Sequence, residues 1–135
     1  MTKNMDKTLV EIHAGPARVV RVTPKGKKVF DKWMKTKGAH QAKFKKMLER
    51  YGQDGDDVLR KLGQLKFQRS IKVKGVKISV QELKGWQIRI YGEPTTFWDG
   101  MPGFVGAEID IKKNDNADDD TLKRTAEYLL ARKQK

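Results

Sequence analysis

The stretch GWQIRIYG, residues 85–92, sets an arginine and a tyrosine two positions apart on what reads as a strand. With a period of two, Trp86, Ile88 and Ile90 fall on one face and Gln87, Arg89 and Tyr91 on the other. The first set suits a core. The second carries chemistry: a guanidinium grips phosphate through paired N–H donors, a phenol donates a hydrogen bond, and a flat ring stacks on a base. Arg69 and Lys77 occupy neighbouring strands, Lys84 stands at the turn before Trp86, and Lys112 and Lys113 end the last strand. If the strands pair in order, these cations converge with Arg89 and Tyr91 on one concave sheet face suited to RNA. The plain alternative is a strand arginine paired with Glu82 or Glu108, because a buried arginine without a partner is costly. Trp98, in a polar turn, suits either a core edge or a base-stacking role.

The charge distribution favours a polyanionic partner. The 135 residues carry a net charge of +13. Residues 17–91 hold 21 Lys or Arg against 6 Asp or Glu, whereas residues 92–135 hold 7 against 9. A cationic field concentrated in this way attracts nucleic acid or an acid-rich protein and speeds the encounter. A mere solubility charge is the bland reading.

Other chemistries find little support. Cysteine is absent, which excludes disulfides, thiolate catalysis and cysteine zinc sites. His13 and His40 have no partner at metal-ligand spacing, so no metal and no cofactor is expected. DNADDD (115–120) opens like a calcium loop, but Asp120 stands where glycine is needed and Ala126 where glutamate is needed. GMPG (100–103) reads as a turn between strands, and no phosphate-binding glycine loop occurs. The N-terminal MTKNMDKTLVEIHAGP lacks a long apolar run, so no secretory signal is expected. No stretch approaches the ~18 apolar residues of a membrane span, and a cytoplasmic location is expected.

The elements that position these residues follow from periodicity. Residues 1–16 read as an N-terminal arm ending at Gly15-Pro16, and 17–135 as one domain. ARVVRV (17–22) is a strand. Thr23-Pro24 starts a helix whose stripe is Val29, Phe30, Trp33 and Met34. Phe44, Met47, Leu48 and Tyr51 define a second helix, with Lys43, Lys45, Lys46 and Arg50 around them. Val58, Leu59, Leu62 and Leu65 suggest a short third. The period then changes to two through KFQRSIKV, a hairpin tip at Lys74-Gly75, and the strands beyond. TTFWDG reads as a strand into a turn, and FVGAEIDI as the last strand. Asp118–Asp120 and Arg132-Lys133 bracket a C-terminal helix with the polarity its dipole favours. The expectation is an α+β domain: a single curved, mainly antiparallel sheet with its helices, two or three N-terminal and one C-terminal, against one face.

Three segments resemble the RelE/ParE superfamily of bacterial and phage toxins, nearest its HigB-like branch. They are ARVVRVTPKGKKVFDKWM as first strand and helix, VQELKGWQIRIYG as central strand, and FVGAEIDIKKNDNADDDTLKRTAEYLLARK as last strand, basic turn and tail helix. The resemblance implies a RelE-like fold and a toxin that is a ribosome-dependent messenger RNA endonuclease, in which the 2′-hydroxyl attacks the adjacent phosphorus. It implies messenger RNA on the ribosome and an antitoxin protein as partners. By position it makes Arg89 the transition-state stabiliser, Lys112 and Lys113 the RNA-contacting basic pair, and Tyr91 a stacker or donor. Two departures weaken the catalytic reading: TTFWDG replaces the usual tyrosine-arginine pair, and no histidine precedes the basic pair, so a general base is hard to name. The competing readings are a non-enzymatic RelE-like binder of nucleic acid or protein, of phage or gyrase-inhibitor type, and a virion or assembly protein.

Overall fold

The computed structural model describes residues 2–111 and 117–134. These form helix α1 (Thr2–Lys7), strands β1 (Val10–Ala14) and β2 (Val19–Val22), helices α2 (Pro24–Met34), α3 (Ala39–Asp54) and α4 (Asp56–Lys61), strands β3 (Leu65–Val73), β4 (Val76–Lys84), β5 (Ile88–Thr96) and β6 (Pro102–Ile111), and helix α5 (Asp119–Lys133). The fold is α+β. None of these helices is long and apolar enough to cross a membrane.

Local chemistry sets the helix boundaries. Thr23 caps α2 by accepting the Gly26 N–H at 3.1 Å, and Pro24 occupies the first turn. Gln41 joins α2 to α3. Its side chain accepts from Gly38 N at 3.1 Å and donates to the carbonyl of Trp33 at 3.0 Å. Asp118 caps α5 through the Thr121 N–H. Lys74 and Gly75, with φ of 50° and 78°, make the tight turn between β3 and β4.

The six strands form one sheet in the order β1-β2-β6-β5-β4-β3. β2 and β6 run parallel and every other neighbouring pair is antiparallel, so the sheet is mixed. Both faces are covered, which corrects the expectation of helices on one face only. Against one face, Phe30, Trp33, Phe44, Met47, Leu48 and Leu59 of α2–α4 pack on Val20, Val22, Leu83, Ile88, Ile90 and Phe104. Against the other, Leu122, Ala126, Leu129 and Leu130 of α5 pack on Val80, Tyr91 and Val105. A C-terminal helix with a full apolar stripe must bury it, and the sheet face left bare by α2–α4 is where it does so.

The segment read as an arm belongs to the body. β1 pairs with β2, and Ile12 packs against the α2–α4 core. Asp6 is buried and bound to Arg132 of α5 at 2.7 and 3.1 Å, and it also accepts the Trp98 N–H at 3.0 Å. A bulge between Glu11 and His13 sets Val10 and His13 opposite Val22 and Val20 and puts Ala14 opposite Val19, and one buried ion pair ties the N-terminal helix to the last turn of α5.

Candidate nucleic-acid interface

Arg89 lies near the start of β5, between β4 and β6, on the face covered by α5. It is 7% exposed. Its Nε stands 3.4 Å from Glu82 Oε2, and its Nη1 donates to the carbonyls of Gly85 at 3.1 Å and Ile88 at 3.2 Å. The carboxylate pairing weighed from the sequence is therefore the one found. A strand arginine is withdrawn from solvent when its strand is central and a helix covers its face.

Tyr91 is also buried, paired across the ladder with Glu82. Burial pushes its phenol well above the ordinary value, and Glu82 and Asp110 add to the rise. Glu82 is 1% exposed. Burial raises its carboxyl above the usual range, against the opposing pull of Lys66, Arg89, Lys84 and the hydrogen bond from Gln68. That bond is 2.9 Å long, to Oε1.

Among the described residues, the remaining candidates do not converge as expected. A bulge between Phe67 and Arg69 resets the alternation of β3, and Arg69 pairs with Asp119 of α5. Lys77 is exposed on the opposite sheet face, because its neighbours Ile78 and Val80 point toward α5. Trp98 lies beyond the far end of β5, ~20 Å or more along the strand from Arg89. There the Lys7 ammonium sits 5.2 Å from its ring. Lys112 and Lys113 lie outside the described residues. Among the described candidates, Lys84 alone stays beside Arg89, directly across the β4–β5 ladder and on the same face.

A different constellation forms around the β4–β5 turn. Trp86 is half-buried there, resting its inner side on the α2–α4 core. Two features shape the turn. A Cβ on Gly85 would lie 2.2 Å from Phe44 Cδ1, so only glycine lets the backbone approach α3 this closely. Gln87 holds a φ of 70°, a conformation that costs a non-glycine residue about 1 kcal/mol or more. Arg89 braces the same turn through its bond to the Gly85 carbonyl.

Trp86 lines two recesses. One, of about 190 Å³, is lined by Lys43, Lys46, Met47, Arg50, Gln64 and Trp86. The other, of about 320 Å³, is lined by Leu62, Gly63, Gln64, Lys84, Gly85 and Trp86. The Lys43 ammonium lies 5.8 Å from the Trp86 ring centroid. Lys43, Lys45, Lys46 and Arg50 are exposed, and among the described residues they form no ion pair. Gln64 Oε1 is shielded and has no hydrogen-bond partner there. Two exposed apolar side chains, Leu62 and Phe67, lie on the neighbouring 62–67 stretch.

From the sequence, Lys43, Lys45, Lys46 and Arg50 read only as the polar surround of an apolar stripe, and Trp86 as core. The available signal was the Lys84-Gly85 turn, which frees the residue after it from strand alternation. No family model, curated protein or solved structure matches the chain.

Proposed function

We propose that the protein binds RNA through the cationic surface of α3 and the adjoining β4–β5 turn. The observation that carries this is the set of acid-free cations, Lys43, Lys46 and Arg50, placed around an accessible tryptophan. Unpaired cations in a recess raise the local potential and attract a phosphate chain. An aromatic ring among them suits a nucleic acid better than an acidic protein, because bases offer π-faces and carboxylates do not.

The test is fluorescence anisotropy with a labelled RNA oligonucleotide across a salt series. Each neutralised single-strand phosphate contributes a log–log slope of about −0.7, so Lys43, Lys46 and Arg50 together give about −2 of the total slope. Changing Lys43, Lys46 and Arg50 together to glutamine should flatten that slope by about 2. Absence of RNA binding at low salt contradicts the proposal.

A second reading, messenger RNA cleavage by a RelE-like toxin acting on the ribosome and held by an antitoxin, rests on the resemblance of the three segments. One observation favours it. Glu82, a carboxyl that burial holds above its usual range beside the Arg89 guanidinium, is of the residue type that can act as the general base the sequence alone left unnamed. Binding stands first because Glu82, Arg89 and Tyr91 are all withdrawn from solvent. Induced expression with mapping of messenger RNA ends distinguishes the two. New ends that appear only with ribosomes present, and vanish in Glu82→Gln, favour cleavage.

A further inference from the structure

Resting on the RNA-binding reading, we infer that Trp86 is the stacking platform of a subsite for an unstacked base, which makes the protein a reader of single-stranded rather than duplex RNA. Three observations carry this. The indole lines two recesses, so one ring borders space for a base in each. The cations divide between those recesses, Lys43, Lys46 and Arg50 in one and Lys84 in the other. A phosphate chain that places a base on the ring therefore has positive charge to meet in either recess. Gln64 lines both recesses as well, so the polar side chain beside the ring is an amide, a group that can hydrogen-bond a base edge.

Duplex RNA fits this surface poorly. An A-form helix keeps its bases stacked and presents 2′-hydroxyls and phosphates across a wide, shallow groove. It has nothing to lay on a ring that lines two recesses. A single strand can turn a base out onto the indole while its phosphates reach the lysines. The architecture of the turn serves the same end. The close approach of Gly85 to Phe44 and the Arg89 brace hold Trp86 in place before any ligand arrives, so little ordering is left to lower the affinity.

The experiment compares wild type, Trp86→Phe and Trp86→Leu. Leucine keeps an apolar contact with the core but removes the ring. Each protein is titrated with a labelled eight-nucleotide single strand, the same sequence as a duplex, and poly-glutamate, with far-ultraviolet circular dichroism confirming the fold. Trp86→Leu should weaken single-strand binding by about 5- to 150-fold, the range for losing one base–aromatic stack. It should leave the salt slope unchanged, while Trp86→Phe retains most of the affinity. Single-strand RNA should quench tryptophan emission in wild type and much less in Trp86→Phe. If Trp86→Leu binds the single strand as wild type does, or duplex binds equally well, the inference is overturned while the wider RNA-binding reading stands. If poly-glutamate displaces RNA at equal charge, or no RNA binds, both fall.

Discussion

Replacing Arg89 by alanine should weaken the fold itself, and by an amount the structure lets us work out. The guanidinium is 8% exposed and the Glu82 carboxylate 1% exposed, at 3.4 Å. Breaking such a pair from one side leaves a buried carboxylate uncompensated and costs about 3–5 kcal/mol. Two partners remain to Glu82, Gln68 at 2.9 Å and the half-exposed Lys66 at 3.9 Å, which puts the expectation near the lower figure. With a urea dependence of about 2 kcal/mol per molar, the unfolding midpoint should fall by about 1.5 M. The loss should also depend on pH in a definite direction. Burial already raises the Glu82 carboxyl above its unfolded value, and Arg89 opposes that rise. A group with a raised folded pKa contributes stability that is present below its unfolded value and is lost as pH rises through the folded value. Removing Arg89 raises the folded value further, so the deficit of Arg89→Ala should be smaller at pH 5 than at pH 8. Urea unfolding followed by circular dichroism at both values provides the assay. Adding Glu82→Gln should recover part of the loss, as coupled neighbours do. An unchanged midpoint, or a larger deficit at pH 5, refutes the reasoning.

Asp6→Ala should lower the melting temperature by about 10 °C or more, since it removes the carboxylate of a buried ion pair with Arg132 and an acceptor from the Trp98 N–H. A scanning calorimetry trace indistinguishable from wild type would show the N-terminal segment to be dispensable. Gly85→Ala should weaken RNA binding as well as stability, because its Cβ collides with Phe44 and pushes the turn away from α3; anisotropy and urea midpoints read the two effects separately. Thr23→Ala removes the cap of α2 and should cost about 1 kcal/mol, with the RNA salt slope unaffected.

Much of the scaffold was legible because local signals and tertiary outcome agree. The Thr23-Pro24 cap, the Phe44-Met47-Leu48-Tyr51 stripe, the Lys74-Gly75 turn and the acidic start of α5 all stand where their chemistry places them. The α+β class follows from their order. What failed was non-local. Nothing near residue 89 announces that α5 will cover that sheet face, so an arginine in an alternating strand reads as exposed. The bulge in β3 separates Phe67 from Arg69, and no residue pattern marks it. The residues 10–14 alternate like a strand, yet a short edge strand next to Gly15-Pro16 is hard to tell from a loop. The recess around Trp86 needed three distant segments, 43–50, 62–64 and 84–86, to come together.

The most direct test of the account is photocrosslinking of a single-stranded RNA carrying 4-thiouridine, with the modified peptides identified by mass spectrometry. RNA bound at the β4–β5 turn should give adducts at Trp86 and on the stretch from Lys43 to Arg50, lost when unlabelled single strand competes. Adducts confined to α5 or to the Trp98 end of the sheet, with none at the β4–β5 turn, would contradict it.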